Sequence, residues 1–159
     1  MTEIKSISTE TTGAIQGAPA HPAFVNDRAA AWLGAEVLRA EFGDVLIRIN
    51  VREEMLNGYG MAQGGMIIAF ADVAFAMACN DPHGDGSTIT VASGMDVNFQ
   101  DPGFAGRPLT ASATLVSQIG RSGLFDIRVT QAREDGGEDI LAELRGRSRT
   151  IPHPAARKR

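Results

Sequence analysis

Met66-Ile67-Ile68-Ala69-Phe70-Ala71-Asp72-Val73-Ala74-Phe75-Ala76-Met77-Ala78-Cys79 is the longest apolar run in the chain, broken by a single aspartate. Its fourteen residues are too few to cross a bilayer, which needs about 20, so the run is expected to be a core helix. Apolar residues occupy nearly every side of that helix, which means it has to be enclosed and not merely laid on a surface. Whatever surrounds it defines the fold.

Immediately upstream lies Asn57-Gly58-Tyr59-Gly60-Met61-Ala62-Gln63-Gly64-Gly65, with four glycines in nine residues. Such a stretch cannot propagate as helix or sheet without entropic cost and reads as a loop. Further upstream, Val45, Ile47, Ile49 and Val51 alternate with Leu46, Arg48 and Asn50. With Ala35 to Phe42 before Gly43-Asp44, this is a β-hairpin with one buried face. The run from Ala23 to Leu33 is expected as one short helix, with Asn26 or Asp27 able to cap it and Gly34 placed to stop it. Downstream of the loop Asn80 to Gly86, four β-rich stretches follow: Thr88–Phe99, Leu109–Ile119, Leu124–Arg133 and Ile140–Thr150. The breaks fall at Pro102-Gly103, Gly120 and Gly136-Gly137. Short helix, two strands, long helix and four strands make an α+β chain, with an antiparallel sheet wrapped on the long helix.

The chain's 159 residues suit one domain. Expected limits are a disordered lead-in over 1–20, one domain over 21–152 and a basic tail over 153–159. A net charge of −4 argues against nucleic acid as a partner, since phosphate neutralisation needs a basic face. Cations nevertheless crowd the end of the chain, at Arg145, Arg147, Arg149, Arg157, Lys158 and Arg159. They read either as a local anion site or as a solvated strand edge with a tail. A single cysteine, Cys79, rules out an intrachain disulfide and fits a reducing compartment. The N-terminal residues lack the positive start and apolar stretch of a signal peptide, so a cytoplasmic location is expected, with no membrane partner.

Asp72 is the residue that points to chemistry. An unpartnered carboxylate taken from water costs several kcal/mol, so a buried one is paired, protonated or held for a function. Ile68, Ala69, Phe75 and Ala76 share its face, and none can pair with it. One reading is that Asp72 bonds a hydroxyl or amide of a neighbouring strand and only orients the helix. The other starts from Gly64 and Gly65, whose backbone N–H groups stand unused at the positive end of the helix. A carboxylate near such donors is minimal equipment for acyl transfer. The loop lacks the Gly-Lys-Ser/Thr ending of a phosphate-binding loop. His21, His83 and His153 are too scattered for a metal cluster or a Ser-His-Asp triad, so no metal is expected.

Together, Asn57 to Gly65, Ala71-Asp72-Val73-Ala74-Phe75-Ala76 and Cys79-Asn80 resemble the signature of PaaI-type hotdog-fold acyl-CoA thioesterases, the phenylacetate-pathway group. The likeness extends from about residue 24 to 152, through Asn26-Asp27, Leu33-Gly34, Asp96-Val97-Asn98-Phe99, Pro102-Gly103, Leu109-Thr110-Ala111, Gly120-Arg121 and Arg145 to Arg149. It implies a hotdog fold, assembly as a homodimer or homotetramer, and active sites between subunits. It further implies that Asp72 is nucleophile or general base, that the Gly64 amide binds the oxyanion, and that Asn57 places the thioester carbonyl or the water. The expected substrate is an acyl-CoA, either aryl-acyl of the phenylacetyl type or medium-chain, hydrolysed without a cofactor.

Where the family commonly has histidine, this chain has Gln63, which donates a hydrogen bond but carries no proton. That departure leaves a second reading open, a catalytically weak acyl-CoA-binding module. Gly65, Thr90, Ser93 and Arg121 complete the candidate substrate contacts, with Thr90 and Ser93 on a strand whose register decides which of them reaches the site. A hydratase of the same fold would need a histidine beside Asp72, and the sequence places none there.

Overall fold

The computed structural model describes residues 15–18 and 22–154. His21, Arg157, Lys158, Arg159 and most of the expected lead-in and tail lie outside the described residues. Six antiparallel strands form one sheet: β1 (Glu36–Glu41), β2 (Asp44–Asn50), β3 (Thr88–Phe99), β4 (Pro108–Ile119), β5 (Ser122–Ala132) and β6 (Glu138–Pro152). Their order is β1-β2-β4-β5-β6-β3, which leaves β1 and β3 at the two edges. The sheet curls around the long helix α3 (Gly64–Ala78), giving the hotdog architecture that the apolar run required.

Period-two alternation sorts the strands into two faces. Val45, Ile47 and Ile49 of β2, Ala111 and Ala113 of β4, Phe125, Ile127 and Val129 of β5 and Leu144 of β6 are all buried toward α3. Phe70 and Phe75 of the helix are fully buried against them, each contributing roughly 1.5–3 kcal/mol by burial. Phe75 meets Phe125 at a ring-centroid distance of 5.3 Å. It fits because β6 carries Gly146 opposite it, where a Cβ would lie 2.9 Å from the Phe75 ring.

The region before β1 departs from expectation. The chain forms two short helices, α1 (Pro22–Val25) and α2 (Arg28–Leu33), rather than one over 23–33. The break has a local cause. Asp27 takes an extended backbone and its carboxylate accepts the Ala30 amide at 2.9 Å, so it starts a new helix instead of continuing the first. Gly34 ends α2 as expected, in the left-handed conformation at φ 73°. Ile15–Ala18 lie along the β1 edge, with Gln16 bridged in parallel to Glu36 and the Val37 amide bonded to the Gln16 carbonyl at 2.8 Å.

The expectation that α3 is enclosed on all sides is met only in part. Gly65 and Asp72 are exposed and Ile68, Ala69 and Ala76 are half-buried, forming one open stripe down the helix. One chain's sheet covers the rest of the helix and leaves this stripe beside the bare edge strand β3.

Candidate active site

Asn57 organises the loop that leads into α3. Its side-chain oxygen accepts the amides of Tyr59 (2.9 Å) and Met61 (3.2 Å), while its own amide reaches the Met61 carbonyl at 2.7 Å. This doubly used oxygen fixes the side chain, and among the described residues the Asn57 Nδ2 donors meet no acceptor. The Gln63 amide bonds the Met55 carbonyl and the Ala62 amide bonds the Gly103 carbonyl, each at 2.8 Å. The loop is thereby tied at two points just before the helix begins.

Gln63 occupies the N-cap position without a side-chain capping bond. Among the described residues, the Gly64 and Gly65 amides meet no acceptor, as expected for the first donors of a helix without a cap. Asn57 and Gly64 line one depression of about 270 Å³ together with Ile67 and the connection Phe99–Gly103. The Phe99 ring packs so closely that a Cβ on Gly64 would lie 3.1 Å from it. At Gly65 there is open space.

Asp72 lies outside this depression. Eight residues along the same helix from Gly64, it is about 12 Å away along the axis at 1.5 Å per residue. Its carboxylate has no hydrogen-bond or ion-pair partner among the described residues. Burial, and then the nearby charge of Asp27, raise its proton affinity above the ordinary carboxylate range. The helix surface around it is half-open, so this is a carboxylate half withdrawn from water yet accessible. The neighbouring Cys79 thiol is pushed up to about 12 by burial, with a further contribution from Asp72, and is inert core.

The other predicted contacts are distributed along β3 and its neighbours. Register pairs Thr90 with Thr150 and Ala92 with the buried Ser148, so Thr90 faces the helix. Its hydroxyl meets that of Thr150 at 2.9 Å. Ser93 sits in a β-bulge between Ala92 and Gly94, with its hydroxyl donating to the Arg147 carbonyl at 3.1 Å. Neither hydroxyl bonds Asp72. Arg121 occupies the tight β4–β5 turn, where its carbonyl accepts the Thr150 amide at 2.8 Å; among the described residues its guanidinium pairs with no carboxylate.

Arg145, Arg147 and Arg149 do share one face, the one turned away from α3. Arg145 is paired with Asp126 at 2.7 Å and Arg147 with Asp96, so both charges are already neutralised. Arg149 donates to Ser122 at 3.2 Å. A concavity of about 520 Å³ lies on this same outer face, lined by residues including Asp96, Asp126, Arg128, Glu143 and Arg145. It is larger than the depression beside Gly64, but its charges are paired, Arg128 with Glu143, Arg145 with Asp126 and Asp96 with Arg147.

Three features escaped the sequence reading: the Phe99–Gly103 wall of the depression, the proximity of Asp27 to Asp72, and the buried amide of Gln131 that anchors the same wall. Pro102-Gly103 signalled only a break between strands. A lone glutamine in a β-rich stretch carries no signal of burial.

The family model described as Thioesterase superfamily matches residues 59–138. The chain is 34% identical over 132 residues to the acyl-coenzyme A thioesterase PaaI of Escherichia coli (strain K12), covering 83% of this chain and 89% of that one. The solved structure of the E. coli PaaI protein from the phenylacetic acid degradation operon superposes with a TM-score of 0.71, over 80% of this chain and 87% of the other. A mutant of the phenylacetic acid degradation protein PaaI from Thermus thermophilus is 28% identical, with a TM-score of 0.67 and coverages of 77% and 98%.

Proposed function

The chain belongs to the thioesterase superfamily, and from that premise we propose that it is an acyl-CoA thioesterase that hydrolyses an aryl-acyl or medium-chain thioester, with Asp72 activating water or attacking the carbonyl directly. The observation that carries this reading is the pairing of two incomplete halves on α3. Unspent amides stand at its N-terminus, and an unpartnered carboxylate with raised proton affinity stands two turns on.

The halves are too far apart to act on one carbonyl within a single chain. The half-site distance and the open stripe together support a dimer in which one chain's loop faces the partner copy's Asp72. A second copy pairing along β3 would also satisfy a twelve-residue edge strand that beyond Thr90, whose amide and carbonyl are held by Asn80, otherwise presents unpaired amides and carbonyls. Among the described residues, no helix is long and apolar enough to cross a membrane.

In the general-base form of the step, the Asp72 carboxylate takes a proton from water as the water oxygen bonds the thioester carbonyl carbon. The oxyanion that forms is met by the Gly64 amide and the Asn57 Nδ2 group, donors already in place before the charge develops. Collapse breaks the C–S bond, and the coenzyme A thiolate leaves and takes up the proton. In the nucleophilic form, Asp72 itself bonds the carbonyl carbon, the C–S bond breaks to release the coenzyme A thiolate, and water later hydrolyses the resulting anhydride to the free acid and the Asp72 carboxylate. Gln63 carries no proton in either form, and its side chain contributes at most a hydrogen bond. At the substrate's other end, the unpaired Arg121 guanidinium suits the coenzyme A phosphates.

Thiol release from phenylacetyl-, 4-hydroxybenzoyl-, hexanoyl- and lauroyl-CoA, measured for wild type beside Asp72→Ala, tests this. We expect turnover of at least one ester and a loss on the order of 10²-fold or more in the variant. Binding of the esters without thiol release by wild type would instead favour the acyl-CoA-binding module.

A further inference from the structure

Gln131, at the end of β5, is 1% exposed. It stands opposite Leu109 on the helix-facing side of the sheet. Burying a primary amide there is costly unless every polar atom is used, and each one is. Its Oε1 accepts the Phe104 amide at 2.9 Å, and its Nε2 donates to the carbonyls of Phe104 (2.7 Å) and Arg107 (3.0 Å). One acceptor facing an N–H and two donors facing two carbonyls is a set that glutamine supplies and that glutamate, methionine or leucine does not.

All three bonds go to the connection between β3 and β4. The same connection supplies the Gly103 carbonyl that accepts the Ala62 amide at 2.8 Å, two residues before Gly64. It also supplies Phe99–Gly103, the wall of the depression opposite Asn57. Gly103 is confined where it lies: a Cβ there would stand 2.7 Å from Leu141 and 3.3 Å from Ala62. A displacement of the connection is therefore passed to Ala62 rather than absorbed. A side chain needed only to fill space at this point would be apolar.

Resting on the thioesterase reading above, we propose that Gln131 is a positioning residue for the reaction. It clamps the β3–β4 connection and, through Gly103 and Ala62, sets where the Gly64 amide meets the thioester oxygen. Gln131 touches neither substrate nor the reacting atoms. Its contribution enters through geometry, where a displacement of about 1 Å can cost on the order of 10²-fold in rate.

The test compares wild type, Gln131→Met and Gln131→Glu in the acyl-CoA assay and follows amide hydrogen exchange at Ala62. Gln131→Met keeps the volume and removes all three bonds. We expect kcat to fall about 10-fold or more, KM to stay within about 2-fold, and the Ala62 amide to exchange faster while Ile127 in the middle of β5 keeps its protection. Gln131→Glu adds a signature that a purely structural role would not produce. Its ionised carboxylate faces two carbonyls with no donor, whereas its protonated form restores one, so its rate relative to wild type should climb as pH falls.

Wild-type kcat in either folded variant, or unchanged Ala62 exchange, would overturn the proposal. Should Gln131→Met fail to fold, Gln131→Glu decides. A wild type that hydrolyses none of the esters would defeat the thioesterase reading, while Ala62 exchange would still decide whether Gln131 holds the loop.

Discussion

β1 and β3 are both edge strands, yet the chain covers one and leaves the other bare. The β1 edge is six residues long, interrupted by a bulge between Val37 and Arg39, and covered by Ile15–Ala18, with Ile15 buried in the core. Gly17 permits the close approach, because at φ 75° with the Val37 carbonyl 2.4 Å from a notional Cβ no other residue fits. Arg48 and Arg39 pair with Glu36 and Asp44 at 2.7 Å, giving that edge a charged outer face of the kind that discourages further pairing. The β3 edge is twice as long, carries no covering segment among the described residues, and adjoins the open stripe with Asp72. The contrast teaches that this chain is finished on one side and left open on the side where the chemistry is proposed.

The largest effect that would break this comparison comes from mixing two defective chains. Asp72→Ala and Asn57→Ala should each be nearly inactive alone. Unfolded and refolded together in equal amounts, they should recover about a quarter of wild-type thioesterase activity, because half the dimers are mixed and each mixed dimer rebuilds one of its two sites. Recovery of nothing, with light scattering returning a mass near the 16.8 kDa of one chain, would show the β3 side to be complete without a partner.

Next in size is the cost of holding Asp72 ready. Burial and Asp27 raise its folded-state proton affinity, so the folded protein binds this proton more tightly than the unfolded chain does. The ionised form is then destabilising: the penalty is absent at acid pH, grows as pH rises through the ordinary carboxylate value, and is complete above the raised folded value. Asp72→Asn should therefore melt higher than wild type at neutral pH, with the difference vanishing in acid, even as activity is lost. For the same reason the acid limb of kcat/KM should lie above the usual carboxylate range. Asp27→Asn, which keeps the α2 cap and deletes the charge, should move that limb to lower pH; an unmoved limb would uncouple the two residues.

Smallest is the expected effect on the finished edge. Arg48→Ala removes an exposed pair and should cost no more than about 1 kcal/mol in denaturant unfolding, with kcat/KM unchanged. A large kinetic effect there would erase the distinction between the edges.

Much of this was legible in the chain. Apolar residues on all sides of 66–79 required a wrapped helix, and period-two runs located every strand to within a few residues. The site was legible only where chemistry is local. Free amides at Gly64-Gly65 follow from helix geometry, and Asp72 is conspicuous in an apolar run. Parts created by closure were not legible: Phe99–Gly103 becomes a wall only when β3 crosses the helix N-terminus, and the Gln131 amide acquires partners 24 and 27 residues away. The split of α1 from α2 was missed for a different reason, since Asp27 serves equally well as a cap or as an ordinary first-turn residue until its backbone is fixed.

Asn80 closes the far end of α3. Its side-chain amide donates to the Thr90 carbonyl and accepts the Thr90 amide, both at 2.9 Å, and also reaches the Ala76 carbonyl at 2.8 Å. Those contacts imitate a neighbouring strand with a side chain, splicing the helix terminus directly onto β3. The strand so spliced is the one proposed to form the seam between copies. Each carboxylate would then be indexed to the seam itself, so that sliding one subunit along the other would carry both half-sites out of step together, and the assembly has a single register in which it works.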